Sequence, residues 1–140
     1  MNVRFFLDTN IFVYSFDENA PKKSDRASEL IRQAVRSRNG IVSYQVVQEF
    51  LNVALRRFTH PMTAAEAQQY LATTLRPLMA VNSSAALYVE ALRLAYSYSL
   101  SWYDSVVVAA AIEGGAHVLY TEDLQHGQEF GTLRIENPFL

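Results

Sequence analysis

The chain of 140 residues reads as an α/β fold built on a mainly parallel sheet. Three observations predict it. Short apolar runs alternate with longer stretches of helical periodicity. Helix-start signals precede those stretches at Pro21, Ser43, Thr63, Ser83 or Ser84, and Ser101. No repeat, low-complexity tract or linker interrupts the alternation, so residues 1–140 are expected to form a single domain.

The elements follow in order. Residues 3–8 (VRFFLD) form an apolar run ending in Asp-Thr-Asn, which predicts a buried strand. Pro21 suits the first turn of a helix carrying Leu30, Ile31, Ala34 and Val35, which Asn39-Gly40 should end. Ile41 and Val42 make a brief strand. Ser43 caps a helix from about Tyr44 to Phe58, with Val46, Val47, Phe50, Leu51, Ala54, Leu55 and Phe58 on its apolar side. Gln45, Glu49, Asn52 and Arg56 recur on its other side.

His60-Pro61 marks a break. Thr63-Ala-Ala-Glu66 has the form of a capping box, and Pro77 should close the helix it opens. Leu78 to Val81 is a short strand. The helix after Ser83 or Ser84 carries Leu87, Val89, Leu92, Leu94 and Ala95. Ser101 opens a helix rich in valine and alanine, which Gly114-Gly115 ends. His117 to Thr121 is a strand, and Leu133 to Ile135 a final edge strand. Trp102 and Tyr103 are expected to pack the helix entry against the core, with base stacking as the alternative.

Composition excludes several classes. With no cysteine there is no disulfide, thiolate metal site or cysteine nucleophile. Asp8 and Asn10 interrupt the apolar start before it could serve as an export signal, and no stretch approaches a membrane span. A cytoplasmic location is the default expectation. The net charge of −2 does not advertise a nucleic-acid binder, so any RNA contact must use local patches. Lys22, Lys23 and Arg26, then Arg32, Arg36 and Arg38, and the pair Arg56 and Arg57 are the candidates; each alone reads better as a solvated helix face.

Acidic residues fall where a parallel sheet makes them interesting, because ligands bind beyond the carboxyl ends of the strands. Asp8 ends the first strand, and Asp123 lies just past the HVLYT strand. Asp104 is in the first turn of a helix, and Glu49 is on a polar helix side. Carboxylates that converge stay ionised together only if a cation offsets their repulsion. Oxygen-only ligands suit Mg²⁺ or Mn²⁺, which can activate water and stabilise charge on a phosphodiester. Each residue also has an ordinary role open to it. Asp8-Thr-Asn10 could be a strand-ending turn, Asp104 the partner of Ser101 in a capping box, Glu49 a solvated glutamate, and Asp123 a loop residue. Glu122 competes with Asp123 for any ligand role. His60, His117 and His126 lack a second histidine at ligand spacing, and His126 reads best as a surface loop residue.

Other phosphate chemistries fit less well. An aspartate-nucleophile phosphatase needs a second aspartate two residues on, where this chain has Asn10. A receiver-type signalling domain needs a late strand-end lysine, and no lysine follows Lys23. No Gly-x-x-x-x-Gly-Lys-[Ser/Thr] loop is present.

Four segments in this order, FFLDTNIFVYSF, VSYQVVQEFLNV, SWYDSVVVAAAIEGGAHVLYTEDLQHGQ and RIENPF, resemble the PIN-domain family, and within it the VapC-type toxin ribonucleases of toxin–antitoxin pairs. The resemblance runs nearly end to end. It implies a three-layer α/β/α sandwich with a central, mainly parallel sheet. It implies catalytic and metal-binding roles for Asp8, Glu49, Asp104 and Asp123, with Asn10 and Thr121 in support. It further implies a Mg²⁺- or Mn²⁺-dependent endoribonuclease, an RNA substrate, a small antitoxin partner and a homodimer. A non-catalytic PIN-like module that binds RNA or protein would tolerate loss of acids, and all four positions here are acidic.

Overall fold

The computed structural model describes residues 3–140, so the first two residues of the expected domain lie outside the described part. Strands β1 (Phe5–Leu7), β2 (Gly40–Ser43), β3 (Met79–Val81), β4 (Val118–Tyr120), β5 (Glu129–Phe130) and β6 (Leu133–Glu136) form one sheet in the order β3-β2-β1-β4-β6-β5. Every neighbouring pair is parallel except β5 with β6. The helices are α1 (Thr9–Tyr14), α2 (Pro21–Ser37), α3 (Tyr44–Arg56), α4 (Ala64–Tyr70), α5 (Ala85–Tyr98) and α6 (Trp102–Glu113). Right-handed crossovers sort them onto two faces. The chain steps outward from β1 to β2 to β3, so α1 to α4 cover one face. It then returns across the sheet to β4, which puts α5 and α6 on the other. The expected three-layer α/β/α arrangement is the observed one.

This return makes β1 and β4 neighbours whose connections leave in opposite directions. A crevice opens beyond their carboxyl ends, where open α/β sheets bind ligands. All three residues of β1 are buried, and Phe6, Leu7, Ile11 and Phe12 are among the largest fully buried side chains. A network of edge-to-face and tilted ring contacts among Phe12, Phe50, Phe16, Phe58 and Tyr70 extends the core under α1, α3 and α4.

The cap signals are used as anticipated. Ser43, Thr63, Ser84 and Ser101 each accept a backbone N–H in the first turn that follows, and Thr63 with Glu66 closes a reciprocal capping box.

Several boundaries differ from expectation. Leu133–Glu136 is not an edge strand, because Glu129–Phe130 pairs outside it through a tight turn with Gly131 at φ 63°. The helix opened by Thr63 is not closed by Pro77 directly. It leaves α geometry after Tyr70 in a wider turn over Leu71–Leu75, and Pro77 lies in a 3₁₀ turn over Arg76–Leu78. A proline ring there would strike the carbonyl of Thr73 in a regular α-helix. Leu55, Val89 and Leu92, assigned to apolar faces, are exposed, as are Trp102 and Tyr103. A helical stripe says which residues share a side, and not whether anything covers it.

Gly40 does not serve as the helix-ending turn; Arg38, at φ 63°, does that. Gly40 instead begins β2 where α2 crosses it closely. A Cβ there would lie 2.1 Å from Cβ of Ala34 and 2.7 Å from its Cα. Neither atom can rotate away. Gly40→Ala should therefore destabilise the fold by about 2 kcal/mol or more, the scale of core overpacking. Urea unfolding checks this, and Gly115→Ala, with open space around its Cβ but φ 75°, is the comparison for backbone strain alone.

Candidate active site

Asp8 is the point where β1 turns into α1. Its backbone stays in the ladder by donating to the Tyr120 carbonyl at 3.1 Å, while its side chain caps α1 by accepting the Thr9 N–H at 2.7 Å. The second carboxylate oxygen accepts the Thr121 hydroxyl at 2.8 Å. The residue is buried, and burial pushes the carboxyl up from its ordinary 3.8 to about 7. The hydrogen bonds from Thr9 and Thr121 oppose that rise, and the charges of Asp123 and Glu49 add to it.

Thr121 follows β4 directly and is fully buried. Besides donating to Asp8, its oxygen accepts the Asp123 N–H at 3.1 Å and an Asn10 amide hydrogen at 3.3 Å. The Asn10 amide also donates to the Asp123 carboxylate at 3.1 Å. Asp8, Asn10, Thr121 and Asp123 thus form one hydrogen-bonded unit across the β1–β4 crevice. Partial desolvation raises the Asp123 carboxyl, against the Asn10 bond and with the charges of Asp104 and Glu122.

Glu49 stands on α3 and is oriented by Gln45, which donates to it at 2.9 Å from the preceding turn. It shares a shallow open depression with Thr9, Asn10, Val13, Tyr14, Glu122 and Asp123. Desolvation raises its carboxyl as well, the Gln45 bond opposes this, and the charge of Asp123 contributes. Asp104 sits in the first turn of α6. Ser101 caps its N–H at 3.3 Å, but among the described residues no bond returns from the Ser101 N–H to the Asp104 carboxylate. The capping-box alternative is therefore half-formed. Asp104 lies within electrostatic reach of Asp123 and is partly exposed.

Glu122 points into a different set of contacts. It accepts the Tyr14 hydroxyl at 2.6 Å and the Lys23 ammonium at 3.3 Å, and Lys23 lies over the Tyr14 ring. This cluster ties the segment after β4 to α1 and α2. Lys23, a member of a candidate basic patch in the sequence, is thus not simply part of a solvated face, and Tyr14 carries no sequence signal that would have marked it as its partner. His126 is an exposed loop residue whose Nδ1 accepts the Asn137 N–H at 3.0 Å. A separate apolar hollow lined by Phe16, Phe58, His60, Met62 and Tyr70 contains none of the four acids.

The donor set fits a hard divalent cation in its chemistry. All the candidate ligands are oxygens, three of the carboxyls are shifted toward protonation, and the buried Asn10 Oδ1 and Thr9 Oγ1 have no hydrogen-bond partner. Among the described residues, however, no three acids close into a ligand cluster. The firm unit is Asp8 with Asp123 through Thr121 and Asn10; Glu49 and Asp104 join it by charge and not by contact.

The profile of the PIN domain family matches residues 5–128. Comparison with curated proteins finds no sequence match. The fold is similar to that in a toxin–antitoxin complex from Klebsiella pneumoniae, at 18% identity and TM-score 0.67, covering 95% of this chain and 96% of that one. It is equally similar to VapBC2 from Rickettsia felis bound to a DNA fragment from its promoter, at 18% identity and TM-score 0.67, covering 96% and 98%. VapC20 from Mycobacterium tuberculosis, a toxin that cleaves the sarcin–ricin loop, matches at 19% identity and TM-score 0.61, covering 85% and 89%. At these identities the likeness is one of fold.

The raised carboxyl of Asp8 has a consequence for stability. The folded chain holds a proton on Asp8 between about pH 4 and pH 7, where the unfolded chain has released it, so this group's contribution falls as pH rises through that window. In chelator, the protein should lose stability from about pH 4 to about pH 7, by up to about 4 kcal/mol from this group. Urea midpoints across that range should flatten in Asp8→Asn.

Proposed function

Because the chain belongs to the PIN domain family, we propose that it is a divalent-metal-dependent endoribonuclease and the toxin of a toxin–antitoxin pair. The observation that carries this reading is the unit at the β1–β4 crevice, where Asn10 and Thr121 hold Asp8 and Asp123 together and, among the described residues, no cation is paired to either. A structural role would favour an apolar or salt-bridged arrangement there, since an unpaired buried carboxylate is costly. The toxin assignment also draws on the fold likeness to chains of toxin–antitoxin complexes.

Asp8, Asp104 and Asp123 would hold Mg²⁺ or Mn²⁺, with Glu49 as a further ligand or as the group that orients water. When bound, such an ion lowers the pKa of water toward neutrality and offsets charge on a phosphodiester. The chain's own residues do the positioning. Thr121 fixes one Asp8 oxygen and Thr9 the other, so the carboxylate cannot rotate. Asn10 holds Asp123 toward Asp8, and Gln45 restrains Glu49. The depression is open and shallow, which admits an RNA backbone and leaves one face for an antitoxin to cover. Substrate contacts must come from local groups, given the net charge of −2.

Two outcomes test this. Cleavage of an RNA by the purified chain should stop in chelator and return with Mg²⁺ or Mn²⁺, and Asp8→Asn should lower the rate about a hundredfold or more. Full activity in chelator, or wild-type rates in Asp8→Asn, would refute the reading. Thr121→Val should leave all four acids in place yet cost about 10–100-fold, because it frees the Asp8 carboxylate to turn. Thr121→Ser should retain most of the activity.

A further inference from the structure

Of the basic residues that the sequence offers for RNA, Lys23 alone is bonded, among the described residues, to groups that line the acidic depression. Its ammonium donates to the Tyr14 hydroxyl and to Glu122 Oε2, each at 3.3 Å. It also stands 4.5 Å from the Tyr14 ring centroid and 5.6 Å from that of Phe139. Phe139 packs on Tyr14 in turn, with centroids 5.0 Å apart. The segment that carries Phe139 is fixed by Asn137, which accepts the Phe139 N–H and donates its own N–H to His126. Both Glu122 oxygens are engaged, because Oε1 accepts the Tyr14 hydroxyl. An ammonium has three N–H donors, and among the described residues the third on Lys23 has no partner. The side chain is still 41% exposed.

We propose that Lys23 is a substrate-binding residue, whose free N–H grips an RNA backbone phosphate next to the one held at the acidic crevice. This assignment rests on the endoribonuclease reading and deepens it. Glu49, Glu122 and Asp123 line the depression, and each repels a phosphate. A bound metal ion offsets that repulsion only in its own neighbourhood, whereas a strand carries further phosphates past it. Those phosphates need a cation at the rim, and Lys23 is the one tied there. A lysine serves a phosphate as a point charge. A lysine free on the surface gives up rotamer freedom on doing so, but Glu122, Tyr14 and Phe139 already restrict this one. A purely stabilising role accounts for the arrangement less well, since an ion pair this exposed adds little to stability. Arg26, the next cation along α2, is directed instead at Glu29 on its own helix.

Binding can be read apart from cleavage. Asp8→Asn protein in Mg²⁺ leaves the probe intact, and a fluorescein-labelled single-stranded oligoribonucleotide reports binding by anisotropy across a salt series. Lys23→Gln in that parent should weaken binding several-fold. The slope of log K against log salt should fall in magnitude by about 0.7, the share of one single-strand phosphate. Lys23→Arg, which keeps the charge, should keep the slope. Lys23→Gln combined with Glu122→Gln restores the net charge of the parent, and should still bind weakly with the lowered slope. Far-ultraviolet circular dichroism should match the parent in each. A double variant that binds like its parent would show that only net charge acts at this rim, and would overturn the proposal. So would a Lys23→Gln variant with unchanged affinity and slope. If the wild-type chain cuts no RNA and the Asp8→Asn form binds none, the endoribonuclease reading fails and takes this one with it, a result distinct from the loss of Lys23 alone.

Discussion

The arrangement of the crevice depends on one carboxylate placed where solvent does not reach. Asp8 belongs at once to the central strand, through its backbone, and to the first helix, through its side chain. The strand order puts β1 between β2 and β4, so nothing at the end of β1 can move without disturbing both neighbours. Burial makes the charge costly, and the described residues supply hydrogen bonds but no cation. Two donors lower the cost without removing it. The result is a rigid acceptor that favours either a proton or a metal ion.

Much of this was legible in the sequence, and the limits are physical. Strand–helix alternation, four cap residues and the first-turn Pro21 were readable because all depend on local chemistry. Asp8 and Asp123 were readable as strand-end acids. Their joining through Asn10 and Thr121 was not, because residues 8 and 121 meet only through the neighbouring of β1 and β4. The family resemblance supplied that neighbouring; periodicity could not. The association of Tyr14, Lys23 and Glu122 was missed for the same reason, since the contacts to Glu122 span about a hundred residues and no motif marks them. The two-residue strand β5 fell below the length at which alternation is detectable, although Phe130-Gly131-Thr132-Leu133 is a usable turn signal. Surface exposure failed most often. Leu92, Trp102 and Tyr103 have core-like identities, and only a three-dimensional arrangement shows that the single chain does not cover them.

The first turn of α6 therefore carries two kinds of surface. Asp104 lies there, within electrostatic reach of Asp123. Trp102 and Tyr103 beside it are exposed. The Lys23–Glu122–Tyr14 cluster ties distant parts of the chain together at the edge of the open depression.

Helix α6 is enclosed through its middle. Every residue from Ser105 to Ala111 is buried, so the helix touches protein on all sides and cannot roll. The aim of Asp104 is set by the volumes of valines and alanines that lie far from any substrate. For such an element, evolvability is restricted in a particular way. A substitution that enlarges the middle of α6 would swing the carboxylate as it strains the core, so selection on packing and selection on chemistry act on the same residues. Drift in specificity would be expected first in the loops and in α3, where Glu49 rests on an open surface, and last along α6.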